Sequence, residues 1–462
     1  MSFQDTALFK DVVKVIKDPL KPIKFHYSGK IHTKKDDLYI FKIITIDLMR
    51  DYVGNIGDVM FLEIMMPIGD YVKDFYPYRD NLEVTLNKTF LDQTSGRALS
   101  NEVKQRQRYK AIFLVDQNPV IKASEYDNID RFTLNLKEPI TVHLQLLDKS
   151  LEPIRIKTTG GVFKDTTVEK VMNAVIPGES LKISYDGKKC IDAYDIVKPD
   201  NTEKLKHILI PQMTKIISVA TYLQESGVGV YNAGIGSYLQ SYNKKMTWFV
   251  YPLFNVERFN ENVPKCVIYS VPRGELPFIE KTYKITANTI YIIANGEKKY
   301  ISNGEADLMD KGSGFRMTDA RTIMRKPVDM KNDGPVGIRN KINYEINNLD
   351  RKDNLNHIPL GDSFISSNPF ARASKILERS NSVITLSWTN SNPYLIYPGM
   401  PVKYIYLNKK NRIEQTIGII LFCQSSIQMM DKGVIANVFE SNSILSLYVK
   451  RLKDTEDAEQ FV

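Results

Sequence analysis

Alternation of apolar and polar positions dominates the first third of the chain. Leu38, Ile40, Ile44, Ile46 and Leu48 occupy alternate positions, and Tyr39, Phe41 and Ile43 fill the opposite face. Residues 23–50 therefore read as strands with both faces at least partly covered. Asp51–Gly57 is a turn-rich break, Val59–Met66 resumes as a strand that Pro67 stops, and Asp70–Phe75 reads as a short helical turn. Leu82, Val84 and Leu86 alternate with polar residues, and Tyr109–Val115 forms a further strand. The polar segment Leu91–Gln107 joins these two as a long-looped hairpin. Phe132–Leu136 and Ile140–Leu147 complete a β domain of about 150 residues. Ahead of it, Leu8, Val12, Val13 and Ile16 share one face of a short amphipathic helix.

The period changes near residue 158. Thr166-Thr167-Val168-Glu169 fits a capping box with Thr166 as the cap. Val168, Val171, Met172 and Val175 follow at helical spacing, and Pro177-Gly178 marks the end. A second helix is expected from Gln212 to Gln224, where Met213, Ile216, Ile217, Ala220 and Leu223 share a face and Gly227 is the stop. Strands return at Met246–Leu253 and Lys265–Val271, with a strand pair within Lys284–Ala294. Asp329–His357 holds seven Asn and few apolar residues, so it reads as an extended loop or linker. Ser382–Trp388, Val402–Leu407, Thr416–Cys423 and Leu445–Lys450 are strands again, and Asp454–Gln460 is a small acidic tail.

Composition supports a strand-rich reading, with 25 Tyr and 20 Phe against 2 Trp. Hydrophobic residues at 43% and charged residues at 25% are ordinary for a soluble globular protein. The longest apolar stretch, Ile417–Cys423, falls short of the roughly 20 residues that span a bilayer. Asp5, Asp11 and Asp18 interrupt the N-terminal segment, which reads as no export signal. Cys190, Cys266 and Cys423 form no CxxC pair and fit a reducing compartment. The net charge of +9 is mild; it permits contact with nucleic acid or acidic surfaces without requiring it.

Candidate chemistry is sparse. None of the five histidines (26, 32, 143, 207 and 357) has HExxH spacing or an i+4 partner, and no nucleophile elbow or nucleotide-binding glycine motif occurs. His26 and His32 flank an expected turn at Ser28-Gly29-Lys30, which leaves a two-histidine metal edge beside the plainer reading of ordinary strand residues. Gly227-Val228-Gly229 with Gly234 and Gly236 follows a helix instead of opening one. Backbone freedom or close packing explains these glycines better than a phosphate cradle. Gly312-Ser313-Gly314 and the pair Asp307 and Asp310 carry no assignable role. The one functional candidate is the basic cluster Arg97, Lys104, Arg106, Arg108 and Lys110. On a hairpin loop it suits contact with phosphates, nucleic acid or an acidic protein partner; its plainer reading is a solvated loop tip. No catalytic, cofactor-binding or metal residue is assigned.

An internal similarity bears on architecture. Tyr76-Pro77 precedes Leu86-Asn87-Lys88 with the same spacing by which Tyr397-Pro398 precedes Leu407-Asn408-Lys409. This points to two related β domains, one early and one late, with other modules inserted between them. Several stretches also resemble the baseplate hub proteins of bacteriophage tails, a family that includes the base of type VI secretion spikes. Residues 62–86 (LEIMMPIGDYVKDFYPYRDNLEVTL) resemble part of the first barrel of that family, and residues 108–119 (RYKAIFLVDQNP) its returning strand. Residues 161–172 (GVFKDTTVEKVM) resemble the helix of its α+β module. Residues 230–238 (VYNAGIGSY) with 248–252 (WFVYP) resemble the return to barrel structure, and residues 397–406 (YPGMPVKYIY) the opening of the second barrel. The resemblance covers about two thirds of the chain and is weakest over 280–390.

It implies an α+β, β-rich fold with two tube-type antiparallel β-barrel domains and inserted α+β modules. The expected divisions are 1–150 (first barrel), 151–228 (α+β insert), 229–275 (strands joining the second barrel), 276–390 (irregular insert), 391–453 (second barrel) and 454–462 (tail). The resemblance further implies a non-enzymatic virion protein of the tail baseplate, made in the host cytoplasm, without cofactors. It would form a homotrimeric ring of pseudo-sixfold symmetry joining the hexameric tail tube to the central spike or tail lysozyme. The tape measure protein would be a further neighbour, and DNA would pass only transiently through the channel. A tail-associated cell-wall hydrolase and a nucleic-acid-binding virion protein using the 97–110 loop are the rival readings.

Overall fold

The computed structural model describes residues 3–18, 23–92, 105–118, 137–272, 275, 281–295, 315–316, 336–339, 344–347, 356–357, 368–408, 412–430 and 438–450. Within them the protein is β-rich with few helices, and fourteen strands join in one large mixed sheet. Helix α1 (Ala7–Ile16) is capped by the Thr6 hydroxyl, which accepts from the Phe9 amide at 3.2 Å. Strands β1 (Ile23–His32), β2 (Asp37–Tyr39), β3 (Lys42–Asp51), β4 (Val59–Pro67), β5 (Leu82–Asp92), β6 (Gln105–Phe113) and β7 (Pro139–Asp148) follow. The insert contains β8 (Thr158–Thr166), α2 (Val168–Ser180), β9 (Ser184–Tyr185), β10 (Lys188–Lys189), β11 (Ala193–Ile196), β12 (Leu205–Lys215), α3 (Val219–Glu225), β13 (Ile235–Tyr242) and β14 (Lys245–Pro252). Next come β15 (Lys265–Val271), β16 (Tyr283–Ile285), β17 (Thr289–Asn295) and the short β18 (Phe315–Arg316), β19 (Val336–Arg339), β20 (Tyr344–Asn347) and β21 (Asn356–His357). Helix α4 (Pro369–Ser380) precedes β22 (Ser382–Trp388), β23 (Pro401–Leu407), β24 (Ile413–Met429) and β25 (Val438–Val449).

The pairings of the large sheet close into two circuits. The first runs β24-β3-β4-β7-β6-β5-β1-β25 and back to β24, antiparallel at every step. The second runs β15-β23-β24-β25-β22-β17 and back to β15; β15 is parallel to both its neighbours, and β17 meets β22 through one residue pair. Strands β24 and β25 belong to both. The Ile413–Ile419 part of β24 pairs with β23, and Phe422–Gln428 pairs with β3. A register shift between Ile420 and Phe422 marks the handover, and there the Tyr52 amide donates to the Leu421 carbonyl at 3.0 Å.

The circuits share a spatial order. Taken as they occur along the chain, the first six strands of this set are β1, β3, β4, β5, β6 and β7, and around the circuit they stand as 1-5-6-7-4-3. The later set is β15, β17, β22, β23, β24 and β25, standing as 15-23-24-25-22-17, which is the same arrangement. Two differences separate them. Strand β15 runs opposite in sense to its counterpart, and the gap that β15 and β17 close by pairing is filled in the first circuit by β24–β25.

Each circuit is filled with side chains. Phe25, Tyr27, Ile46, Leu48, Leu62, Ile64, Val84, Leu86, Val142 and Leu144 pack inside the first, joined by Ile427 and Phe439 from the shared strands. Cys266, Ile268, Ile292, Ile384, Leu386, Trp388, Val402, Tyr404, Ile420, Leu445 and Leu447 fill the second. Helix α1 covers the outer side of β15 and β17 through Leu8, Val12 and Val15 against Val267, Tyr269, Val271 and Ile293. In the insert, α2 and α3 pack on Ile208 and Ile210 of β12 and on Trp248 and Val250 of β14.

Several expectations need correction. The first circuit alone is antiparallel throughout; β15 makes the second one mixed, because a parallel neighbour is reached by a crossover instead of a tight hairpin. Strands β13 and β14 pair with β11 in a separate three-stranded sheet, not in the second circuit. Residues 28–30 are not a turn but the middle of β1, and Gly29 is there because a Cβ would lie 2.9 Å from the Thr85 carbonyl and the Leu86 side chain. Thr167, not Thr166, caps α2, which continues through Pro177 to Ser180 with Ile176 and Ser180 buried in its last turn. Gln212–Lys215 belongs to β12, where pairing with β8 wins over helical spacing, and α3 starts only at Val219. In α1 the buried face is Leu8, Val12 and Val15. Tyr39 and Phe41 are 72% and 69% exposed while Ile43 is buried, so that face is covered only in part. A short antiparallel pair, β19–β20, lies within the expected 329–357 linker. Phe132–Leu136, residues 307–314 and the acidic tail lie outside the described residues.

Because β24 is common to both circuits, a cavity made in one circuit should weaken the other. Ile427 is fully buried in the first core. Ile427→Ala is expected to lower stability by about 2–5 kcal/mol. In a urea titration on a Trp248→Phe background, Trp388 fluorescence from the second circuit and far-UV circular dichroism should shift together; a Trp388 transition unchanged by the substitution would contradict a shared fold.

Candidate functional site at the junction of the two circuits

The sequence candidates fall on different parts of the molecule. Arg97 and Lys104 lie outside the described residues, while Arg106 and Arg108 project outward from β6. Arg108 Nε lies 2.6 Å from Glu83 Oε2, and Lys149 Nζ also bonds the Glu83 carboxylate. Partial burial works against the Glu83 charge, but Lys149 and Arg108 outweigh it and hold its pKa below the ordinary range. Lys110 pairs with Glu152 at 3.6 Å. On β1, His32 places Nδ1 2.6 Å from Asp37 Oδ1 and Nε2 2.8 Å from Thr85 Oγ1, so both ring nitrogens are engaged. Among the described residues no three His, Cys, Asp or Glu side chains group as metal ligands. The three cysteines are buried and free, and burial raises their thiol pKa values. The glycine-rich 227–236 segment proves to be a place of close packing: at Gly229, with φ +74°, a Cβ would lie 2.6 Å from Asn368 Oδ1. Asn368 caps α4 there and donates to the Gln224 and Ser226 carbonyls.

A denser constellation sits where the circuits and the insert meet. Arg50, on β3, is 1% exposed. Its Nε lies 3.2 Å from both Asp58 oxygens, its Nη2 lies 3.1 Å from Asp58 Oδ2, and its Nη1 donates to the Pro393 carbonyl at 2.5 Å. Pro393 opens the turn that leads into β23, so one guanidinium ties the first circuit to the second. Burial disfavours the Arg50 charge, yet Asp58 prevails and raises its pKa. The insert joins through β13: Tyr238 donates to Asp58 Oδ1 at 3.2 Å, and Gln240 accepts from Tyr52 at 3.3 Å while donating to the Ile396 carbonyl at 2.6 Å. Tyr394 shares a 2.7 Å hydrogen bond with Tyr27, packs edge-on to Phe25 and Phe90, and receives Lys88 Nζ 3.2 Å from its ring centroid. Burial pushes the phenols of Tyr27, Tyr52, Tyr109 and Tyr238 well above the ordinary value, so they act as neutral hydrogen-bonding groups. Nearby, the buried hydroxyls of Ser391, Ser441, Ser443 and Ser425 satisfy one another at 2.6–3.0 Å across β24 and β25.

A cavity of about 40 Å³ opens at this junction, lined among others by Arg50, Asp58, Lys88, Tyr109, Asp148 and Tyr394. It has room for on the order of three water molecules. Asp148 Oδ1 accepts from the Ser150 amide at 2.9 Å and the Ser150 hydroxyl at 2.7 Å. Burial still raises its pKa, with Asp58 adding to the effect. Chemically the arrangement is a fastener. It places paired charges and matched hydroxyls across three structural units, and each element fixes the orientation of the next.

None of these junction residues was assigned a functional role from the sequence, though a signal was present. Arg50 continues the inward phase of Ile46 and Leu48, and Lys88 that of Val84 and Leu86. A charge in an apolar phase is buried and therefore paired.

Two predictions follow from the geometry. Asp58→Ala leaves a buried guanidinium without its counter-ion and should cost about 3–5 kcal/mol in a denaturant titration; a loss below 1 kcal/mol would contradict the fastening role. For Asp148, the folded-state pKa lies above the unfolded one, so the folded state binds the extra proton and stability falls as pH rises through that window. Asp148→Asn should therefore stabilise the protein at neutral pH, and its advantage should vanish in acid, where the native carboxyl is protonated in both states. Melting curves at about pH 2.5, below the ordinary carboxyl value of 3.8, and at pH 7 check this.

No protein-family profile and no curated protein sequence matches the chain. Among solved structures, the chain is similar to a tail protein from Neisseria meningitidis MC58, with TM-score 0.40 and 8% identity over 92% of this chain and 96% of that one. It is similar to the 43 kDa tail protein of prophage MuSo2 from Shewanella oneidensis, with TM-score 0.44 and 9% identity over 91% and 97%. The E. coli c3393 protein, described as a component of the type VI secretion system with structural similarity to the T4 tail proteins gp27 and gp5, gives TM-score 0.39 and 7% identity over 92% and 77%.

Proposed function

We propose that this chain is a structural hub protein of a phage-type tail, and that its two closed circuits are the two tube-type barrels of such a hub. The carrying observation is the common strand order, 1-5-6-7-4-3 against 15-23-24-25-22-17. The internal Tyr-Pro repeat supports it, because Leu86 and Leu407 fall on the matching strands β5 and β23. A unit doubled within one polypeptide lets three copies present six similar docking surfaces, which adapts a sixfold tube to a threefold spike. The buried fastening at Arg50, Asp58, Pro393 and Tyr394 supports a mechanical role, since it fixes the angle between the units. The circuits are filled with side chains, so the channel of the hub runs between copies around the common axis, not through a circuit. The role is structural and not catalytic, and the protein resides in the tail baseplate with the tube and spike proteins as neighbours.

Size-exclusion chromatography with light scattering is the direct test. The expected result is a species of three chains of 53.0 kDa each, favoured by higher concentration or added spike protein. A particle that stays monomeric under both conditions would overturn the proposal.

A further inference from the structure

The junction inside one chain shows how two similar units meet. The second circuit approaches with its β24–β25 side, and the first receives it between β3 and β1. By the shared order, β24–β25 correspond to β6–β7, and β3 and β1 correspond to β17 and β15. In a ring where each unit meets the next in the same sense, the β6–β7 side of the first circuit is the forward side. It has no counterpart to meet within its own chain, because the β15–β17 side of the second circuit is the far end of the same polypeptide.

Among the described residues, the forward side exposes apolar side chains. Ile112, on β6, is 39% exposed, and Val115, just beyond it, is 59% exposed. The turn that holds Val115 is fixed in place: Asn118 donates to the Leu114 and His143 carbonyls and accepts from the His143 amide at 2.6 Å. On the receiving side β15 and β17 pair directly, so no strands insert there. The outer surface there is formed by α1 and by β16, where Ile285 is 41% exposed.

We infer that Ile112 and Val115 of one copy dock beside Ile285 and α1 of a second copy of this chain, head to tail, and that three such contacts close the ring. This rests on the hub reading and adds which faces meet. The interface is heterologous: different patches on each copy touch, as a closing ring requires.

The test uses the full chain. Val115→Cys and Ile285→Cys are placed singly and together, at exposed positions that leave the cores intact; the native cysteines are buried. With a short bismaleimide, a mixture of the two single variants should give a two-chain band, and the double variant a three-chain band. Val115→Asp should weaken self-association by roughly tenfold or more in mass photometry. Trimers that neither cross-link between these positions nor respond to Val115→Asp would overturn this choice of faces and leave the hub reading standing. Failure of the unsubstituted chain to form trimers would overturn both.

Discussion

The hydrogen-bond ladder of the β24–β25 hairpin is the constraint on which everything else depends. One end of the hairpin closes the second circuit and the other end closes the first, so neither circuit is complete without it. A strand pair that satisfies two sheets leaves no open edge at the place where they join. It also makes the relative placement of the circuits a property of continuous backbone and not of a flexible linker.

Side chains then lock what the backbone allows. Arg50, Asp58 and Pro393 put a paired, desolvated charge across the boundary, and Tyr394 brings an aromatic contact from the second circuit into the first core. A buried pair of this kind adds little net stability, but losing either partner is expensive, so it penalises any other mutual orientation. The insert is tied into the same knot through Tyr238 and Gln240. On the proposed hub reading, this stiffness would carry load from one unit to the next.

Much of the strand pattern was legible because one face of most strands is buried, and alternation then reports the face directly. Ser382–Trp388 was placed to the residue for that reason, whereas Lys265–Val271, buried on both faces, was legible as a short continuous apolar run. The Gln212–Gln224 segment misled, since its helical spacing spans the end of β12 and the start of α3, and only pairing with β8 separates them. Gly29 read as a turn because close approach to Thr85 and Leu86 leaves no mark in local sequence. Circuit closure was beyond local pattern altogether: β24 meets β3 across more than 370 positions of chain, and no window contains both. The junction was legible only as misplaced charge at Arg50 and Lys88, and its partners at Pro393 and Gln240 come from distant segments.

Cryo-electron microscopy of the purified protein, viewed down the assembly axis, tests the central claim most directly. The account predicts an annulus of six similar densities around an open centre, with true threefold symmetry and alternate densities distinguishable in detail. An assembly with three lobes of one kind, or a twofold particle without a central opening, would contradict it.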